Sequence, residues 1–300
     1  MYSSFIRGWR GWRTAWVLSA CLLVAYSIPN PAQAENATVG KHCLWRVTGT
    51  RAPVYLLGSI HSLRAGDYPL APVIEDAVKQ SQEFWFEVDP RRDDLFAKKI
   101  VAAAKYPNGV QIKGRINPKT YAYLQKITQG GMNVWQHVKP WAIAAFLLRH
   151  PGYERLSYAY GIDNHIAEEA KHRGRPVGGM ESIDEHVRVF SDMQEIEGEV
   201  FLLQTLVYAD EGPKRFAESV AAWKTGDVDH LYEMDLPQIK EAPTVWWRLL
   251  DRRNARWIPR IETVIKSGRP SMIVAGCLHF PGPHGVLALL KARGYKIEQL

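Results

Sequence analysis

One pattern near each end of the chain limits what it can become: a strand-like run, then G-x-x-H, a turn and a helix. Val54-Tyr55-Leu56-Leu57 runs into Gly58-Ser59-Ile60-His61, a loop and a helix. Ile273-Val274-Ala275 runs into Gly276-Cys277-Leu278-His279, the turn Phe280-Pro281-Gly282-Pro283 and a helix. Strand-to-helix units of this kind belong to α/β sheets, where ligands bind beyond the carboxyl ends of strands. Glycine permits a tight exit from the strand and a close backbone approach. If the two units are neighbours in one sheet, His61 and His279 converge at its rim.

The text between them is mostly helical. Residues 44–49 and 53–57 are rich in β-formers and flank Thr50-Arg51-Ala52, which predicts a hairpin. Residues 84–88 (FWFEV), 176–180 (PVGGM), 271–275 (SMIVA) and 295–300 (YKIEQL) read as strands. Helical spacing is expected over 71–81, 92–104, 117–128, 139–149, 162–173 and 284–293. Most of 183–266 has the same period, broken at Gly212-Pro213, Gly226, Pro237 and Pro243. The expectation is an α/β core with a large helical insertion, undivided by any Pro/Gly/Ser-rich linker.

Residues 1–34 read as an address. Arg7, Arg10 and Arg13 precede an uncharged run over 14–28 and the small residues of Pro29-Asn30-Pro31-Ala32-Gln33-Ala34. These are the three parts of a secretory signal. Cleavage after Ala34 would leave one domain over 35–300, periplasmic or secreted. The alternative is an uncleaved anchor, for which the apolar run is short. Leu18-Ser19-Ala20-Cys21 also resembles a lipoprotein box, and lipidation at Cys21 is a minor alternative. No later segment reaches spanning length. The net charge of +7 includes those three arginines, and no basic run follows them, which argues against a nucleic-acid partner. With 46% hydrophobic and 23% charged residues, disordered and fibrous classes are excluded. Beyond the leader only Cys43 and Cys277 remain. In an oxidising compartment they either pair or persist as two buried thiols, and neither has CxxC spacing.

Two acids complete the chemistry. Glu87 sits among aromatic residues in FWFEV, and Glu181 follows the strand-like 176–180. A carboxylate in such surroundings is paired or metal-bound. Two imidazoles with one or two carboxylates form the ligand shell of many hydrolytic metal sites. Plainer readings exist for each: a rim histidine held by hydrogen bonds, Glu87 paired with Arg92 or Arg149, Glu181 biasing a helix start at Ser182. His165, Glu169 and His172 share one helix face, which reads as solvated rather than chelating. Trp246-Trp247 reads as core packing before ring stacking. No G-x-S-x-G elbow, P-loop or dinucleotide fingerprint occurs.

GSIH (58–61), FEVDP (86–90), KPWAIAAFLL (139–148), YGID (160–163), GGMES (178–182), DRRNARW (251–257) and the block from Ala275 to Tyr295 together resemble the TraB/GumN family, also called TraB/PrgY/GumN or TIKI-like. His284 departs from the acidic or small residue expected in the last block. The resemblance implies a ChaN/erythromycin-esterase-like α/β core and a site of His61, Glu87, Glu181 and His279, with Arg253, Asn254 and Asp163 in support. The expected reading is an exported hydrolase dependent on a divalent metal (Mn, Co or Zn) and acting on peptide or amide bonds. In it His61, Glu87 and His279 hold the ion, and Glu181 acts as general base or fourth ligand. Competing expectations are a protein that sequesters a peptide, haem or metal without turnover, and an accessory factor in envelope polysaccharide production.

Overall fold

The computed structural model describes residues 40–128, 131–149, 158–209 and 212–300. The expected leader, its expected cleavage position and Cys21 lie outside them. Leu44–Thr48 (β1) and Val54–Ser59 (β2) form the expected hairpin, with Leu44 opposite Leu57. Glu83–Phe86 (β3), Val177–Gly179 (β4), Ser271–Gly276 (β5) and Lys296–Gln299 (β6) complete a mixed six-stranded sheet. Its order is β4-β3-β5-β2-β1-β6. β4, β3, β5 and β2 are parallel, and β1 runs against both of its neighbours.

The order matters because β5, from the end of the chain, inserts between β3 and β2. Leu56 pairs with Ile273 and Gly58 with Ala275. The two G-x-x-H units are therefore adjacent. Every residue of β2 is buried, as are five of the six in β5, which is the pattern of central parallel strands covered on both faces.

Helices fill the crossovers. Pro72–Gln80 (α1) follows β2, with proline in its first turn and Ile74, Ala77 and Val78 facing inward. Asp93–Ala104 (α2), Pro118–Thr128 (α3), Pro140–Arg149 (α4) and Ile162–His172 (α5) lie between β3 and β4. Ile183–Ser191 (α6), Glu195–Ala209 (α7), Gly212–Lys224 (α8), Val228–Glu241 (α9) and Pro243–Trp246 (α10) follow β4. A π-helical turn, Trp247–Asp251, then leads into Arg252–Ser267 (α11). Val286–Ala292 (α12) joins β5 to β6. The break expected at Pro237 does not occur: α9 runs through it. A proline near the carboxyl end of a helix removes one hydrogen bond and leaves the turns before it intact.

Two hydrophobic clusters result. One surrounds the sheet and takes in Leu56, Phe84, Ile162, Ile261, Val274 and Leu290. The other joins α3, α4, α7 and α10 through Leu124, Trp141, Ile143, Leu202, Leu206 and Val245. Among the described residues no helix is long and apolar enough to cross a membrane.

Candidate functional site

Four neighbouring strands end on the same edge of the sheet, and each exit carries one of the expected side chains. In sheet order these are Glu181 after β4, Glu87 after β3, His279 after β5 and His61 after β2. The β3–β4 ladder continues one step past both strands: Met180 N–H donates to Phe86 O at 2.7 Å and Glu181 N–H to Glu87 O at 3.0 Å. That extension sets two carboxylates side by side in a largely buried place. Like charges so placed need a counter-charge.

Arg253 supplies it. Its guanidinium is buried, and its Nη2 lies 2.5 Å from Glu87 Oε2 and 2.6 Å from Glu181 Oε1. Nε donates to Glu181 at 3.1 Å. Nη1 donates to Leu249 O at 3.1 Å and to His279 Nε2 at 3.1 Å. All five N–H donors of a guanidinium are thereby used. Burial alone would push the Glu87 and Glu181 carboxyls up, but Arg253 holds Glu87 well below the usual range and, with His186, lowers Glu181. Burial opposes the charge on Arg253 as well, and the two glutamates more than offset it. Among the described side chains the partner of Glu87 is thus Arg253 and not Arg92; the side chain of Arg149 lies outside them. Arg253 enters from α11 directly after the π-helical turn, a feature often found where a helix must re-aim side chains. Trp257, one turn on, stacks over the Arg253 guanidinium at 4.7 Å and against the His279 ring at 4.4 Å.

The two histidines are held alike. Asn254 Nδ2 donates to His284 O at 3.0 Å, so its Oδ1 must accept from His279 Nδ1, at 2.6 Å. That assigns the proton to Nδ1 and leaves the Nε2 lone pair facing Arg253. Because His284 contributes its carbonyl here, the unexpected side chain at that position does not disturb the contact. Burial, with Glu87 opposing and Arg253 assisting, pulls His279 down to about 3. At the rim, Asp163 from the first turn of α5 accepts from Ser59 Oγ at 3.0 Å and from His61 Nδ1 at 2.9 Å. Ile162 N–H donates to Ile60 O at 3.0 Å and fastens α5 to this exit. An imidazole whose Nδ1–H is held by an oxygen presents Nε2 in a fixed direction, the arrangement seen in metal-ligating and base-acting histidines alike.

Gly276 lies where these groups meet. The place a Cβ would take on it is 3.3 Å from Glu87 Oε1, 3.5 Å from His61 Nε2 and 3.7 Å from the His279 Cδ2. His279 Nε2 is itself 3.7 Å from Glu87 Oε1. Glu87 Oε1 also accepts the Gly276 N–H at 2.8 Å. The missing side chain leaves a cradle that a nitrogen, a carboxylate oxygen and a second imidazole border.

A further trio, Glu87, Glu181 and His186, each offers a ligand atom within 4.8 Å of the others. Arg253 Nη2 already stands among them, 3.3 Å from His186 Nδ1. His186 donates to Glu181 Oε1 at 2.6 Å and is absent from the expected set. A signal for it was available: Ser182 and Glu185 form a capping box. That box starts α6 at Ile183 and brings His186 one turn later, back over Glu181. His165, Glu169 and His172 are not drawn together; Glu169 pairs with Arg173, and the His165 ring lies against Tyr68. Trp246 packs in the helical core with its Nε1 near Gln204, whereas Trp247 is exposed beside Arg252.

The sequence model of the TraB/PrgY/gumN family matches residues 43–299. The chain is 22% identical over 313 aligned positions to the metalloprotease TIKI2 of Danio rerio, an alignment covering 85% of this chain and 60% of that protein. It therefore spans about 60% of the length of that curated relative. No solved structure matches it significantly.

Proposed function

The chain belongs to the TraB/PrgY/gumN family, and on that premise we propose that it is an exported, metal-dependent hydrolase of peptide or amide bonds. The observation that carries this reading is the cradle at Gly276, bordered by His61 Nε2, Glu87 Oε1 and the His279 ring. The donor set fits a divalent cation. Two nitrogens and a carboxylate oxygen suit Mn, Co or Zn, and the glycine leaves the space an ion needs. Charge agrees in sign: the two carboxylates of Glu87 and Glu181 share the one guanidinium of Arg253. In this reading His61, Glu87 and His279 hold the ion. When bound, it would polarise a carbonyl oxygen and make hydroxide available near neutral pH.

The chain's own residues do the rest. Asp163 and Asn254 hold the two Nδ1 protons; this aims His61 Nε2 at the cradle and His279 Nε2 at Arg253 Nη1, which gives up that contact when His279 takes the ion. Arg253 takes Glu87 Oε2 and leaves Oε1 directed at the cradle. Glu181 has its carboxylate committed to Arg253 and His186, which leaves it a weak base. It acts as a positioning residue for Arg253 in place of the general-base role. The name of the TIKI2 relative supports peptide cleavage as the reaction. The leader over 1–34 supports export, and the four parallel strands support a sheet of the ChaN/erythromycin-esterase kind.

One observation favours a second route on the same site. Arg253 is already a fixed cation among the carboxylates, and the Asp163–His61 pair has the geometry of an oriented general base. Assay of the purified chain on a peptide library, with and without chelator, separates the two. Loss of cleavage on chelation and its return with Mn²⁺, Co²⁺ or Zn²⁺ supports the metal route. Equal cleavage in both arms contradicts it and leaves the dyad. Peptide recovered intact in both arms overturns the hydrolase reading.

A further inference from the structure

The two cysteines meet across a glycine of the first G-x-x-H unit. Cys43 O accepts the Gly58 N–H at 2.8 Å across the hairpin. On the other side, a Cβ on Gly58 would stand 2.8 Å from Sγ of Cys277, so the sulfur occupies the place of the missing side chain. Both thiols are free and buried. The neighbouring Cys277 and burial push the Cys43 thiol up. Cys277 follows Gly276 and begins the turn that carries His279.

We propose that Cys43 and Cys277 form a disulfide that ties β1 to the His279 turn. The oxidant is a small-molecule or protein disulfide. The thiolate of one cysteine attacks it and expels one thiol; the second cysteine attacks the mixed disulfide and expels the other. The two cysteine sulfurs lose two electrons and two protons in total, and the external disulfide is reduced to two thiols. Because both groups are sealed from water, the exchange belongs to folding, before β5 closes over Gly58. The pairing goes beyond the hydrolase reading and does not depend on it.

The test uses the full chain carrying Cys21→Ser, so that only these two cysteines remain. It is refolded with reduced and oxidised glutathione, then denatured and treated with maleimide without reduction. The expected result is a peptide map with Cys43 linked to Cys277 and no labelled thiol. The expected Tm lies roughly 5–10 °C above that of the same sample with reductant. The variant carrying Cys43→Ala and Cys277→Ala should melt at one temperature in either buffer. Recovery of both cysteines as maleimide adducts, or of either linked only to glutathione, overturns the proposal.

Discussion

His61 and His279 each end a G-x-x-H unit on adjacent central strands, yet the His61 side chain is 57% exposed and that of His279 is 4% exposed. The partners differ accordingly. The exposed imidazole is held by a carboxylate, Asp163; the buried one by a neutral amide, Asn254. Near solvent a charged partner is cheaply accommodated, whereas beside Arg253 and two glutamates a further charge would have to be desolvated. The glycines differ too. Gly58 makes room for a sulfur of the other unit, and Gly276 faces Glu87 Oε1, His61 Nε2 and the His279 ring. One grammar thus yields a rim group facing solvent and an internal group bound into the core. The units should respond differently to the same substitution.

The buried half rests on Arg253. Arg253→Met leaves two carboxylates uncompensated and should cost about 3–5 kcal/mol in urea denaturation. Arg253→Lys keeps the charge but loses the planar fork and should cost less. A loss under about 1 kcal/mol for Arg253→Met would remove the distinction between core and rim. Next, His279→Ala should cost roughly 2–4 kcal/mol by opening a cavity beneath Trp257, and His61→Ala less than about 1 kcal/mol. Both should lower kcat/KM by at least about 100-fold, so that stability separates what activity does not.

The glycines give the third contrast. Gly58→Ala drives a methyl into Cys277 Sγ and should cost about 1–3 kcal/mol. Gly276 has φ −49°, which any residue adopts. The backbone therefore accepts Gly276→Ala, but its Cβ would press on Glu87 Oε1 at 3.3 Å, so the variant should fold with a melting temperature lowered by a few degrees and lose at least about tenfold in activity. The last contrast is the acid response. His279 is held near 3 against an ordinary value of about 6.5. Its folded pKa is the lower, so its contribution is complete above about pH 6.5 and is lost as pH falls towards 3. The slope is at most about 1.4 kcal/mol per pH unit. Glu87 and Glu181, also lowered, lose their contributions in the same direction below about pH 4.3. Urea midpoints measured from pH 6.5 to 4.5 should fall more steeply for the wild type than for His279→Gln.

Much of the strand framework is legible from local patterns. Alternation, the Thr50-Arg51-Ala52 turn and the G-x-x-H exits locate the hairpin and the central strands to within a residue or two. Glu87 and Glu181 are legible as acids at strand ends. What escapes local reading is how distant segments share one charge. Arg253 stands in a helix rich in arginine, and nothing in DRRNARW distinguishes the side chain that turns inward from Arg252, which lies outside over Trp247. The π-helical turn that aims it leaves no mark in hydrophobic period. His186 becomes visible only when the capping box at Ser182 fixes the helix phase. The division of labour between Asp163 and Asn254 depends on burial, which spacing does not encode.

The account is tested most directly by calorimetric titration of Mn²⁺ and Zn²⁺ into the wild type, His61→Ala and Gly276→Ala. It predicts one ion per wild-type chain and no measurable binding by either variant, both of which remain folded at the titration temperature. The same stoichiometry and affinity in all three proteins would contradict it.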